Sequence, residues 1–125
     1  MIYGIGTDLI EVERVAEKMS KNSGFTELVF SMNEMAYCET KTNKYEHYAA
    51  RFAAKEAFFK ALGTGWKNGT AFNEVEIVHN ENGKPAINLT GNTAQTIALM
   101  KLGKIHVSIA HLKTMASAYV IIETL

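Results

Sequence analysis

Between Asn43 and Gly63 the chain carries its longest stretch of good helix formers, rich in Ala, Lys, Glu and Leu. Asn43-Lys44-Tyr45-Glu46 has capping-box spacing at its start, and Gly63 supplies the stop. In a chain of only 125 residues, a helix this long is the scaffold on which the shorter elements pack. Residues Ile2 to Thr7 read as a buried, glycine-punctuated strand. The spacing Asp8-Leu9-Ile10-Glu11 predicts a capped helix running to about Asn22, and Phe25 to Glu39 reads as short helical pieces. Phe72 to Val78 and Pro85 to Leu89 read as strands joined by the turn Asn80-Glu81-Asn82-Gly83. A helix follows Thr90-Gly91-Asn92 to about Leu102, stopped by Gly103, and Lys104 to His111 with Ala116 to Glu123 forms a last hairpin. Strand, helices, hairpin, helix and hairpin in that order predict an α+β fold, with no repeat or linker to divide residues 1–125 into more than one domain.

Charge narrows the function classes. Lys plus Arg number 13 and Asp plus Glu number 13, so the basic excess expected of a nucleic-acid binder is missing. No apolar run approaches the ~20 residues of a membrane span, and the first residues lack the pattern of a signal peptide. The lone Cys38 fits a reducing, cytoplasmic location. The cancelling charges are unevenly placed: Arg14, Lys18 and Lys21 share one helical face, and a second basic stretch runs from Lys41 to Lys60. Both read either as solvated helix faces or as docking sites for an acidic partner.

Several motifs fail. Gly4-Ile5-Gly6 has Leu9 where a dinucleotide fingerprint needs its third glycine, and the run from Gly63 to Gly69 lacks P-loop spacing. His106 and His111 are five apart, so on one strand they face opposite sides and make a poor zinc pair. Ser108 has no nucleophile-elbow glycines around it. On a helical wheel, Ala50, Ala54, Phe58, Ala61 and Leu62 share an apolar arc, and Glu56 points away from it beside Lys60. Glu56 and Lys60 read as an exposed i,i+4 ion pair, or as part of a site next to the Gly63-Thr64-Gly65 turn. Asp8 reads as a helix cap or, with Glu56, as a hard oxygen ligand for magnesium shared with phosphate oxygens.

Phe52 to Lys60 matches a phosphopantetheinyl transferase signature: an aromatic, two residues, Lys-Glu-Ala, two residues, Lys. The blocks Ile2 to Asp8 with Glu11 and Arg14, Lys60 to Gly65, Asn82-Gly83-Lys84-Pro85 and His106 to His111 resemble bacterial holo-(acyl-carrier-protein) synthases. They lie in the family's order and span nearly the whole chain. The resemblance implies an antiparallel sheet packed on a long helix, assembled as a homotrimer with active sites between subunits. It implies transfer of 4′-phosphopantetheine from coenzyme A to a serine of apo acyl carrier protein in fatty acid biosynthesis, leaving adenosine 3′,5′-bisphosphate. By position it assigns Asp8 and Glu56 to magnesium (or manganese) and Lys60 to the coenzyme A phosphates, with Glu56 and Lys60 catalytic. Gly63, Thr64, Gly83, Lys84, Pro85, His106, Ser108 and His111 would line the coenzyme A groove, and Arg14, Lys18 and Lys21 would dock the carrier. For His106 and His111 a purely structural role in the strand stays open, while His47 and His79 read as surface residues. Two departures stand out: Met35-Ala36-Tyr37 lacks an acidic residue that family members can carry there, and Ala110 replaces a common hydroxyl residue. A coenzyme A-binding module without catalysis, a ligand-free scaffold, or a carrier from polyketide or peptide synthesis are the alternatives.

Overall fold

The computed structural model describes residues 1–66 and 68–125; Lys67, within the glycine-rich run rejected as a P-loop, lies outside them. In chain order the elements are β1 (Ile2–Glu11), α1 (Val12–Ser20), α2 (Phe25–Val29), α3 (Met32–Glu39) and α4 (Lys44–Leu62). After a 3-10 turn at Phe72–Glu74 come β2 (Val75–His79), β3 (Pro85–Leu89), α5 (Gly91–Ala98), β4 (Leu102–His111) and β5 (Met115–Thr124). β1, β5 and β4 form an antiparallel sheet in that order, and β2 pairs with β3 in a separate hairpin. The expected α+β fold is present, with the sheet packed on the long helix α4. Among the described residues no helix is long and apolar enough to cross a membrane.

Helix α4 is enclosed on most sides. Ala53, Ala54, Ala57 and Ala61 meet Ala118, Val120 and Ile122 of β5 in one core, and Tyr48, Ala49, Ala50 and Phe52 meet Val12, Val15, Phe30 and Cys38 in another. Even Lys55 is buried. Its ammonium donates to Glu34 Oε1 at 2.7 Å and to the carbonyls of Phe72 at 2.9 Å and Val75 at 2.7 Å. Burial pulls this lysine below its ordinary range, against the opposing pull of Glu34.

Two glycines set how closely β1 approaches α4. A methyl group at Gly4 would collide with the carbonyl oxygen of Ala61, and one at Gly6 with that of Ala57. Small residues on both partners therefore bring strand and helix backbones together. Because alternate strand residues share a face, Asp8 follows Gly4 and Gly6 onto the helix side of β1.

Local capping signals were overruled in several places. Asp8 does not cap a helix: β1 runs on to Glu11, since Asp8 pairs with Ala118 and Glu11 with Met115 in the ladder. Helix α1 begins only at Val12, with Glu11 as an N-cap whose side chain makes no capping bond. Asn43 likewise makes no side-chain cap at α4. The capping box that does form is Ser31 with Glu34, opening α3 inside the stretch read only as helical pieces. Residues 72–74 form the 3-10 turn rather than strand, and α5 ends at Ala98, short of Gly103, which lies within β4. The reversal between them uses Lys101, at a φ of 54°.

Gly6→Ala forces β1 away from α4 and is expected to lower stability by about 1–3 kcal/mol, the usual range for overpacking. Denaturant unfolding of the variant beside the wild type measures it.

Candidate active site

Lys55 and Glu56 are neighbours on α4 whose side chains leave the helix about 100° apart. With Lys55 committed to the core, Glu56 faces the strand side, and Lys60 lies one turn later on the same flank. The predicted Glu56–Lys60 ion pair is replaced by a different one. Lys60 Nζ donates to Asp8 Oδ1 at 3.1 Å and to the Thr7 carbonyl at 3.0 Å. The strand carboxylate outcompetes the helical neighbour because β1 passes so close to α4.

Asp8, Glu56 and Lys60 therefore converge within one chain. Asp8 is largely enclosed, its side chain 17% exposed, whereas Lys60 is 56% exposed and reaches solvent. Glu56 is half-buried, and its carboxyl is pushed above the ordinary range, first by burial and then by the negative charge of Asp8. Lys60 and Lys18 oppose that shift. Two hard oxygen donors that repel one another suit a divalent cation completed by phosphate oxygens and water. Because Lys60 engages Oδ1, the Oδ2 atom of Asp8 is left for such an ion. Among the described residues no group of three or more His, Cys, Asp or Glu offers an all-protein metal site.

The other predicted residues lie elsewhere. Gly63 caps α4 with a φ of 80°, followed by exposed Thr64, close to the Lys60 end of the helix. Lys84, Pro85, His106 and Ser108 line a cavity of about 410 Å³ together with Val107, Ile109, Tyr119 and Ile121, along the β4 edge. Gly83, at a φ of 76°, makes the turn just before Lys84. His106 and Ser108 project from the sheet face opposite α4, while His111 projects from the α4 side, as the spacing of the two histidines predicted. Asp8 on β1 and the cavity residues His106 and Ser108 on β4 thus lie on the two opposite edge strands of a three-stranded sheet in a single chain.

His111 belongs to a second cavity of about 280 Å³, which shares Pro85 and Ile109 with the first and is also lined by Tyr37, His47, Arg51 and His79. His47 is half-buried there rather than a surface residue, and burial lowers its pKa and that of His79. Arg51 is 4% exposed, lies over the Tyr37 ring at 4.3 Å, and keeps Nε without a hydrogen-bond partner. On α1, Arg14 and Lys18 are exposed, with Lys21 exposed just past the helix end. Lys18 reaches over Phe25 and Phe52 at 5.6 and 5.8 Å, which carries the basic stripe toward Glu56.

Residues 4–118 match the profile of the 4′-phosphopantetheinyl transferase superfamily. The chain belongs to that superfamily. It is 44% identical over 124 residues to a holo-(acyl-carrier-protein) synthase of Cytophaga hutchinsonii, covering 97% of each chain. The crystal structure of the Neisseria meningitidis holo-(acyl-carrier-protein) synthase superposes with a TM-score of 0.89 at 28% identity, over 98% of this chain and 99% of that one. A Bacillus anthracis holo-(acyl-carrier-protein) synthase, solved in complex with coenzyme A (3′,5′-ADP), gives 0.81 at 32% identity, over 100% and 99%.

Within this transferase fold, sequence reasoning missed the Arg51 cluster. The available signal was His47 and Arg51 at i,i+4 spacing, two polar side chains on a flank of a helix otherwise packed with alanine and phenylalanine.

Glu56→Gln removes a half-buried charge held next to Asp8, so it is expected to raise the melting temperature of the metal-free protein at neutral pH. The wild-type carboxyl binds its proton more tightly folded than unfolded, so wild-type stability falls as pH rises through its range. The advantage of the variant should therefore be full at neutral pH and vanish on acidification. Thermal melts in chelator across pH measure it.

Proposed function

We propose that this chain transfers the 4′-phosphopantetheine moiety of coenzyme A to a serine hydroxyl of an apo acyl carrier protein, in fatty acid biosynthesis. The observation that carries this reading is the convergence of Asp8, Glu56 and Lys60 at the β1–α4 junction of a superfamily member. Residues 1–125 are then one cytoplasmic transferase domain, and the activity is that of a holo-(acyl-carrier-protein) synthase.

The serine oxygen attacks the phosphorus that bears the pantetheine arm. The bond from that phosphorus to the oxygen of the nucleotide phosphate breaks, and adenosine 3′,5′-bisphosphate leaves. Asp8 and Glu56 would hold magnesium, or manganese in its place, whose chemistry when bound is to offset charge on the diphosphate oxygens. Lys60 supplies a second, solvent-facing positive charge to the same oxygens. That charge matters because the phosphates meet the C-terminal end of α4, where the helix dipole opposes an anion. Glu56 takes the serine proton directly or through a water.

Lys84, Pro85, His106, Ser108 and His111, with Gly83 shaping the turn, cradle coenzyme A along β4, and Gly63 with Thr64 lets the ligand approach the end of α4. These two halves complete one another between subunits of a homotrimer. The sheet face away from α4 supports that assembly: Ile5 is 64% exposed, Leu9 65% and Tyr119 56%, an apolar surface on the side that carries His106 and Ser108.

Asp8→Ala and Lys60→Ala are each expected to leave the fold intact. The first should abolish transfer, and the second should slow it and weaken coenzyme A binding, with Lys60→Arg recovering only part. Mass spectrometry of apo carrier incubated with coenzyme A and magnesium reads the product; near-normal turnover by folded Asp8→Ala would remove it from the metal site.

Arg14, Lys18 and Lys21 would steer the acidic carrier. Arg14→Glu should raise the Michaelis constant for carrier but not for coenzyme A, and the effect should fade as salt shortens the screening length below ~10 Å. Separate carrier and coenzyme A kinetics at low and high ionic strength test it; equal loss for both substrates would leave the stripe as ordinary solvated charge.

A further inference from the structure

His111, the last residue of β4, is held by an ionisable side chain from the far end of α4. Its Nδ1 lies 2.9 Å from Oε1 of Glu46, in the first turn of that helix and 65 residues away in sequence. The two side chains are 28% and 17% exposed, so the contact is sheltered rather than a loose surface pair. The His47 ring packs edge-on against His111, ring centroids 5.1 Å apart.

We propose that Glu46 is a positioning residue for coenzyme A binding: its carboxylate anchors Nδ1 of His111 and so fixes Nε2 as the nitrogen presented to a phosphate of the ligand. The inference rests on the transferase reading and on His111 lining the coenzyme A groove. An imidazole has two nitrogens, and the hydrogen bond made by one decides the role of the other. With Nδ1–H donated to Glu46, a neutral ring offers Nε2 only as an acceptor, while a protonated ring donates from Nε2 to a phosphate oxygen.

The surroundings fit an anion. Arg51 from α4, His47 beside it, His79 from β2 and Tyr37 from α3 line the same cavity as His111. The Arg51 Nε has no partner, and its NH1 makes only a long 3.4 Å bond to the His47 carbonyl. Glu46 is the carboxylate in contact with His111, and it approaches through Nδ1, behind the ring. The hydrogen bond from His111 holds the Glu46 carboxyl below the ordinary range, which keeps it ionised.

The test uses the full-length protein, with steady-state kinetics for coenzyme A and for carrier measured separately. Glu46→Ala is expected to raise the Michaelis constant for coenzyme A about tenfold, the lower end of the range for metal-binding histidines that lose their orienting carboxylate. Its kcat and its carrier constant should stay within about twofold of wild type. Glu46→Gln keeps an acceptor for Nδ1–H and should recover most of the loss, which also covers the case in which the alanine variant fails to fold. In a His111→Ala background, Glu46→Ala should have no further effect. An unchanged coenzyme A constant in folded Glu46→Ala, or an equal loss in the absence of His111, would overturn the assignment. So would His111→Ala with normal coenzyme A affinity, although wild-type transfer would then leave the transferase reading standing. Failure of the wild type to modify the carrier at all would remove that reading first.

Discussion

The rotation of α4 about its own axis is fixed by one buried contact, Lys55 with Glu34. All three ammonium protons are used, on a carboxylate and two carbonyls, so the desolvation of the charge is met bond for bond. Glu34 in turn accepts from the backbone of Ser31 and of Ile77, tying α3 and β2 to the same point. Since Glu56 follows Lys55 directly, the orientation that buries the lysine is the one that aims the next carboxylate at β1. Placing an ammonium so deep costs more than an apolar side chain would. In return α4 has one rotational setting, because any other would strand that charge.

Much of the element order was legible because good helix formers run unbroken from Asn43 to the Gly63 stop and apolar β-formers fill the final hairpin. The boundaries at Asp8 and Gly103 were misread for the same physical reason. A cap or a glycine stop is worth about 1 kcal/mol locally, whereas a strand ladder adds cooperative pairing and side-chain burial along its whole length. Helical periodicity placed Glu56 and Lys60 on one flank, but it could not show that Asp8 would claim the lysine. That contact depends on the Gly4 and Gly6 approach to α4, which arises between elements rather than within one. The burial of Arg51 and His47 was hidden likewise, since a wheel that separates apolar from polar residues assumes a single exposed face. Helix α4 has almost none.

The electrostatics of the site follow from where α4 ends. A phosphate at a helix N-terminus would meet unpaired amides; here the available end is the C-terminus, with carbonyls and a left-handed Gly63. At the proposed phosphate site, positive charge would therefore come from side chains and from a cation that Asp8 and Glu56 would hold. Lys60 and Lys18 approach from the helices.

The alternation of β1 has a mechanical consequence. Gly4, Gly6 and Asp8 point toward α4, while Ile5 and Leu9 point to the face proposed to meet a second copy of the chain. One rigid strand thus carries the carboxylate on one side and the apolar contact surface on the other. A slip of a single residue in its pairing with β5 would exchange the two sets. The proposed chemistry and the proposed assembly would share one register, so this strand could not drift toward a looser interface without also withdrawing its carboxylate from the helix.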